Sequence, residues 1–326
     1  MVKMSKKINI TTIILFLSLW LQHSLCHAFQ EDHTPNPDLE IQKIFQYFKQ
    51  RPNLSKSQRL EYISEAWLNK PYLLFALGEG QNAAFDQHPL YRTDAFDCET
   101  FVDTVLALTL SQNIDEFKKN MNKIRYQNGQ VDFLQRNHFT GLEWNTSNQQ
   151  QGFIQDITPS ITHNHKSIYL ISQTPINKGG WYKHLSTNRI YLPHSSEAQK
   201  IIQYQKLKSL GSAQDIATSE VTYLPLTSLF DAQGHLHRDI LSQIPNGAIM
   251  EIVRPQWDLE KQIGTQLDIS HLGFLIYKKG TIYFRNASSK HQKVIDQKLE
   301  DYLVKCLKSP TIKGIHIEKL YQNDNE

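Results

Sequence analysis

Apolar residues recur at helical spacing in the early part of the chain and switch to alternating or continuous runs towards its end. Leu39, Ile41, Ile44, Phe45 and Phe48 predict a helix over residues 38–48. Leu60, Ile63, Ala66 and Leu68 predict a second over residues 55–68, with Ser55 as its cap. Together they read as a helical cover within residues 29–75. Residues 77–89, with Gly78, Gly80 and Asn82, read as loop. Phe101, Val102, Val105, Leu106 and Leu108 form a wide apolar stripe, which predicts a helix from residue 98 to about 111, buried on one face. Another helix is expected over residues 114–124, ending near Asn128-Gly129. Residues 131–240 are mixed, polar and without repeats, punctuated by Thr158-Pro159 and Gly179-Gly180. Such a stretch is too long for a loop and predicts an insertion with some strands. Strands follow over residues 248–253, 269–277 and 282–287, the last two joined at Lys279-Gly280, a hairpin signal. Residues 299–307 read as a short helix, and residues 314–320 alternate like an edge strand. Helices followed by an antiparallel meander make an α+β protein.

The N-terminus adds a compartment. Lys3, Lys6 and Lys7 precede an apolar run over residues 8–21, and Ser24-Leu25-Cys26-His27-Ala28 ends it with small residues. A charged start, a short apolar core and a small-residue end read as a secretory signal over residues 1–28. The run falls short of the roughly 20 apolar residues needed to span a bilayer. Residues 29–326 are therefore expected to form one periplasmic or secreted domain with no membrane span. His23-Ser24-Leu25 before Cys26 makes a poor lipidation box. The chain's formal charge of +3 is carried entirely by the three lysines of the signal, so the remainder is neutral. A neutral body gives no electrostatic footprint for nucleic acid or an anionic membrane. Only Cys98 and Cys306 lie beyond the signal, which excludes a disulfide scaffold. They leave two readings: a reactive thiol, or a Cys98–Cys306 pair in an oxidising compartment.

Cys98 carries the candidate chemistry. In Phe96-Asp97-Cys98-Glu99-Thr100-Phe101, Asp97 is a good N-cap that puts Cys98 at the first helical position. Phe96 and Phe101 then occupy the positions of a hydrophobic staple. A thiol there feels the positive end of the helix dipole, and the free N–H groups around it are suited to holding an oxyanion. Asp97 and Glu99 work in the opposite direction and raise the thiol pKa, so an imidazole partner is required. His271 opens the strand Ser270-His271-Leu272-Gly273-Phe274, and Gly273 leaves room for a helix end to approach. If Lys279 and Gly280 are the hairpin loop, Gly273 opposes Asn286 and His271 opposes Ser288. Alternation then puts His271 and Asn286 on one face, as diagonal neighbours within side-chain reach. Asn286 would accept from one ring nitrogen and leave the other for Cys98, the logic of nucleophile, base and orienter. His235 and His237 lack the further ligands of a metal site, and Gly78-Glu79-Gly80 lacks the context of a phosphate loop. No metal or cofactor is expected.

Four blocks in this order, Phe96-Asp97-Cys98-Glu99-Thr100-Phe101-Val102, Arg136-Asn137-His138-Phe139, Asp268-Ile269-Ser270-His271-Leu272-Gly273-Phe274 and Asn286-Ala287-Ser288-Ser289, resemble the N-acetylmuramoyl-L-alanine amidase-like family. That family is a branch of the papain-like, NlpC-type bacterial cell-wall cysteine hydrolases. The resemblance implies a papain-like core, with the cysteine at a helix N-terminus packed on an antiparallel sheet that bears the histidine. It implies cleavage of the amide between N-acetylmuramic acid and L-alanine, with muropeptides, including anhydro forms, as substrates. Cys98, His271 and Asn286 take the catalytic positions, although the family commonly has His in place of Asn286. Arg136, Asn137, His138 and Ser270 match blocks beside the cleft and are carried over as substrate-binding residues, with a structural turn as the plain alternative for the first three. Tyr91 corresponds to a cleft tyrosine of the superfamily, and His138 is the main rival to His271 as base. A stem-peptide endopeptidase and a non-catalytic cell-wall binding protein are the competing readings.

Overall fold

A continuous antiparallel sheet near the C-terminal end positions the rest of the molecule. The computed structural model describes residues 36–321, so the expected signal lies outside the described residues. Among those residues no helix is long and apolar enough to cross a membrane.

Helix α1 (Pro37–Lys49) begins at Asn36, whose side chain accepts from the Asp38 N–H, and it buries Ile41, Ile44, Phe45 and Phe48. Leu39, counted in the sequence stripe, is exposed. Helix α2 (Lys56–Ala66) starts with a capping box between Ser55 and Gln58. Helix α3 (Cys98–Thr109) buries its whole apolar stripe, and α4 (Ile114–Arg125) packs beside it through Phe117, Met121 and Ile124. Fully burying one such large side chain contributes roughly 1.5–3 kcal/mol, more than the about 1 kcal/mol of a cap. Packing therefore holds α3 in place, and the cap decides where it begins.

The chain then adds β1 (Ile154–Asp156), a small β2–β3 hairpin (Thr162–His163 and Lys166–Ser167), β4 (Leu170–Asn177) and β5 (Ile216–Pro225). Later come β6 (Ile249–Leu259), β7 (Thr265–Lys278), β8 (Thr281–Ser288), β9 (Lys293–Lys298) and β10 (Gly314–Leu320). The main sheet has eight strands in the order β4-β5-β10-β6-β7-β8-β9, with β1 on β10. The architecture is α+β, as expected. Residues 131–240 supply β1, β4 and β5 to this sheet. One sheet face, with Leu272, Phe274 and Ile276, packs against α3. The other, with Leu275 and Phe284, packs against Leu299 and Leu303 of the helix Leu299–Cys306.

Strand β10 corrects an expectation. It is interior, pairing with β6 over five positions and with β5 and β1 besides. Its alternation of Ile315 and Ile317 with His316 and Glu318 imitates an edge strand, but the polar side is buried too. His316 Nε2 lies 3.1 Å from Glu318 Oε1, and both side chains are fully enclosed.

The β7–β8 hairpin turns at Lys279 and Gly280, both at positive φ (48° and 78°), which is the two-residue turn the sequence called for. Its ladder runs from Lys278↔Thr281 to Phe274↔Arg285 in the predicted register, then stops. β8 continues against β9 as far as Ser288↔Lys293, while β7 diverges. On its other side β7 has a bulge. Glu251 faces Leu272 and Val253 faces Ile269, so Ser270 and His271 together oppose Ile252. Gly273 serves β8 and not an approaching helix. A Cβ there would lie 2.5 Å from the Arg285 carbonyl oxygen and 2.8 Å from Asn286 Cβ.

Candidate active site

Cys98 is the first residue of α3. Asp97 Oδ1 accepts from the Thr100 N–H at 2.9 Å, and Thr100 Oγ1 accepts from the Asp97 N–H at 3.0 Å, a complete capping box. Phe96 and Phe101 meet edge to face at 5.7 Å, so the staple is present and fixes the angle at which the chain enters the helix. The cap leaves the Cys98 N–H outside its own hydrogen bonds. The sulfur is approached by the backbone groups of Glu99 and Leu272. Leu272 follows His271 in β7, at the point where β7 parts from β8. The helix end thus lies against the backbone of Leu272, the residue after His271.

His271 Nε2 lies 3.0 Å from Asn286 Oδ1. The Asn286 amide nitrogen donates to the Phe284 carbonyl at 3.1 Å and to Gln297 Oε1 at 3.3 Å. Those two bonds fix the amide orientation, so Oδ1 faces the ring and Nε2 carries the proton. The unprotonated nitrogen of His271 is then Nδ1. Asn286 is wholly buried, and the Phe284 ring stands edge-on to His271 at 5.6 Å. This pair is held by packing as well as by its hydrogen bond.

The protonation states follow from burial. Burial pushes the Cys98 thiol above its ordinary range, and Asp97 and Glu99 push it further. Glu99 is itself raised well above the usual carboxyl value by burial, with Asp103 and Asp97 adding to it. Asp97 and Glu99 thus both oppose ionisation of the thiol. Burial lowers His271, against a smaller opposing effect from Asn286. The resting pair is a thiol and a neutral imidazole.

The other expected site residues are placed differently. Arg136 is buried in ion pairs, its Nε 2.8 Å from Glu79 Oε1 and its NH2 nitrogen 3.0 Å from Asp86 Oδ2. Asn137 is buried and donates to the Ile124 carbonyl at 3.1 Å. Arg136 thus holds the loop around Gly78, and Asn137 holds the same segment against α4. His138 Nε2 donates to the Phe133 carbonyl at 2.8 Å, and its ring meets Trp181 at 4.6 Å. Burial, then Arg136, holds His138 well below the ordinary imidazole range. Ser270 Oγ accepts from Arg254 Nε at 3.0 Å, a bond within the sheet. Tyr91 donates to Asp38 Oδ1 at 2.6 Å, which commits its hydroxyl to α1. A tyrosine that feels the charge of Cys98 is Tyr72, which is absent from the sequence expectations. It bridges to Phe96, and burial followed by the charges of Cys98 and Asp97 raises its phenol. Only the pairing of the segment before Asp97 against residues 71–73 could have revealed it. Cys98 and Cys306 are both free thiols.

Among the described residues, one group of possible metal ligands stands apart from these residues. His163 Nδ1 lies 2.8 Å from Asp239 Oδ2, with the His237 ring 4.1 Å from that of His163. They belong to the β2–β3 hairpin and the short helix Arg238–Leu241, elements that supply nothing to the Cys98 site.

None of the curated proteins matches the chain. A Legionella pneumophila (Philadelphia 1) protein of the DUF1460 family is 41% identical, with a TM-score of 0.83 over 87% of this chain and 95% of its own. An N-acetylmuramoyl-L-alanine amidase from Bacteroides uniformis is 22% identical, with a TM-score of 0.56 over 82% of this chain and 99% of its own. A putative xylanase from Bacteroides fragilis is 24% identical, with a TM-score of 0.53 over 79% and 100%. The two Bacteroides proteins share the fold. The AmiA-like family, described as N-acetylmuramoyl-L-alanine amidase-like, matches residues 62–311, a stretch that contains Cys98, His271 and Asn286. The chain belongs to this N-acetylmuramoyl-L-alanine amidase-like family.

Proposed function

We propose that the protein is an exported, papain-like cysteine amidase that hydrolyses the bond between N-acetylmuramic acid and L-alanine in muropeptides. The observation that supports this reading is a capped helix start at Cys98 whose sulfur contacts the backbone of Leu272, the residue after His271, with His271 itself 3.0 Å from Asn286 Oδ1. Family membership supports the substrate class.

In this reading His271 Nδ1 takes the thiol proton as sulfur attacks the lactyl carbonyl of the muramoyl amide. The Cys98 N–H, at the positive end of α3, stabilises the oxyanion. His271 returns the proton to the alanine nitrogen, the C–N bond breaks, and the stem peptide leaves with a free amine. Water then attacks the thioester, giving its proton to His271, and the thiol is restored as the muramic carboxylate departs. Asn286 keeps Nε2 protonated throughout, so Nδ1 remains available to accept.

Incubation of the protein with purified muropeptides and mass analysis of the products tests the proposal. Free stem peptide beginning with L-alanine, absent with Cys98→Ala, is expected. Fragments cut within the stem would instead indicate an endopeptidase, and intact muropeptides would overturn the hydrolase reading altogether.

A further inference from the structure

Beside the N-cap of α3 stands an arginine that no acidic side chain satisfies. The Arg189 guanidinium carbon lies 3.6 Å from the Phe75 ring centroid and 5.9 Å from that of Trp181. Phe75 is bound to the nucleophile helix directly, its N–H donating to Asp97 Oδ2 at 3.2 Å. Its backbone has φ of 59°, a left-handed conformation that a bulky residue adopts only when its surroundings impose it. The ring beneath Arg189 is thus fixed in place by the same aspartate that caps Cys98.

Arg189 is equally well anchored from its own side. Ile190 and Leu192 are buried, the Tyr191 N–H donates to the Phe85 carbonyl at 3.1 Å, and the Gln87 N–H donates to the Tyr191 carbonyl at 2.7 Å. Tyr191 stacks on His88 at 3.7 Å. The segment therefore behaves as an added strand on the loop near Gly78, with Arg189 at its start.

The acids around Arg189 are already engaged. Asp86, Asp97 and Glu79 each influence it, yet Glu79 and Asp86 pair with Arg136, and Asp97 is taken by Thr100 and Phe75. Among the described residues no carboxylate lies within ion-pair distance of Arg189. Burial, with Arg136 adding to it, pulls its pKa down to about 10, still fully charged at neutral pH. A partly buried guanidinium stacked on aromatic rings, with its donors unspent, is suited to the planar, bidentate capture of a carboxylate.

We propose that Arg189, resting on Phe75 beside the Cys98 helix, binds a carboxylate of the leaving stem peptide, namely the free α-carboxylate of the γ-linked glutamate that follows L-alanine. This assignment rests on the amidase reading, because that carboxylate lies one residue beyond the scissile amide. The middle segment of the chain would then contribute to substrate choice through Arg189.

The test uses binding, so that it does not depend on turnover. Calorimetry on the Cys98→Ala protein compares muramyl tripeptides that differ only in a free or amidated α-carboxyl on the glutamate, and a third with its C-terminal carboxyl amidated instead. The free acid should bind roughly 10–100-fold more tightly than its α-amide, the range of a charge-assisted hydrogen bond. Adding Arg189→Gln should erase that preference, and Arg189→Lys, which keeps the charge but not the fork, should retain part of it and guards against a folding failure. Equal binding of acid and α-amide, or a preference that persists in Arg189→Gln, would overturn the assignment. So would an Arg189-dependent loss on C-terminal amidation instead. Arg189-dependent acid preference without muramoyl-amide cleavage by the Cys98 protein would uphold the carboxylate site while refuting the amidase reading.

Discussion

In the proposed mechanism Cys98 and His271 enter the reaction uncharged, and that sets an expected pH dependence. The base must be neutral to accept the thiol proton. Since burial lowers His271 below the ordinary imidazole value near 6.5, the acid limb of kcat/KM should fall below about pH 6.5. Burial and Asp97 hold the free thiol up, so alkylation by iodoacetamide in the absence of substrate should be slow at neutral pH and rise in the alkaline range. Rapid labelling near neutrality would show a resting ion pair instead. Asn286→Ala removes the acceptor that fixes the ring and should lower kcat by about 10²-fold with little change in KM. Asn286→His, which restores an acceptor, should recover most of that loss. The pairing of His271 with Asn286 was legible because it needs only hairpin parity around Lys279-Gly280. Tyr72, Phe75 and Arg189 were not, because the backbone bridges and left-handed φ that bring them to Asp97 leave no local pattern. Tyr91, a cleft residue by resemblance, donates its hydroxyl to Asp38.

At the level of elements, Asp97 has two effects that oppose one another. Its side chain caps α3 and holds Phe75, while its charge discourages ionisation of Cys98. Asp97→Ala should cost about 1 kcal/mol of stability for the cap and yet make the thiol more reactive at a given pH. Asp97→Asn keeps a capping oxygen and removes the charge, so denaturant titration should show near-normal stability alongside the same gain in alkylation rate. If both variants left labelling unchanged, the effect of the Asp97 charge on the thiol would be refuted. The α3 stripe, its cap and its staple were plain in the sequence, because each is a local arrangement within a few residues. The bulge at Ser270 and His271 was not, since it depends on which residues of β6 lie opposite. Strand β10 was misplaced for a related reason. Alternating polar residues usually face water, whereas His316 and Glu318 face each other inside the protein.

Across the whole molecule that buried cluster matters for stability. Burial alone would keep His316 neutral, but Glu318, Glu251 and Asp156 raise it to about 10, so it is a buried cation at neutral pH. Its stabilising contribution is complete below the unfolded value near 6.5 and is lost as pH rises through about 10. Burial raises Glu251 to about 8, and its contribution likewise declines as pH rises from the ordinary carboxyl range through 8. Unfolding midpoints should therefore fall steadily towards alkaline pH. His316→Leu, which strands the Glu318 carboxylate, should cost about 3–5 kcal/mol at neutral pH. A variant as stable as the parent, by chemical denaturation, would refute the ion cluster. The fold class was readable from element order, but the joining of residues 131–240 to the main sheet through β4, β5 and β10 was not, because those pairings span much of the chain. In the proposed function this frame delivers a thiol and an oriented imidazole to a muramoyl amide. The most direct measurement is the mass of the products formed from a purified muropeptide by the parent protein and by Cys98→Ala. Free L-alanyl stem peptide together with the peptide-free sugar, formed only by the parent, is the predicted result; an uncut muropeptide, or equal release by Cys98→Ala, would contradict it.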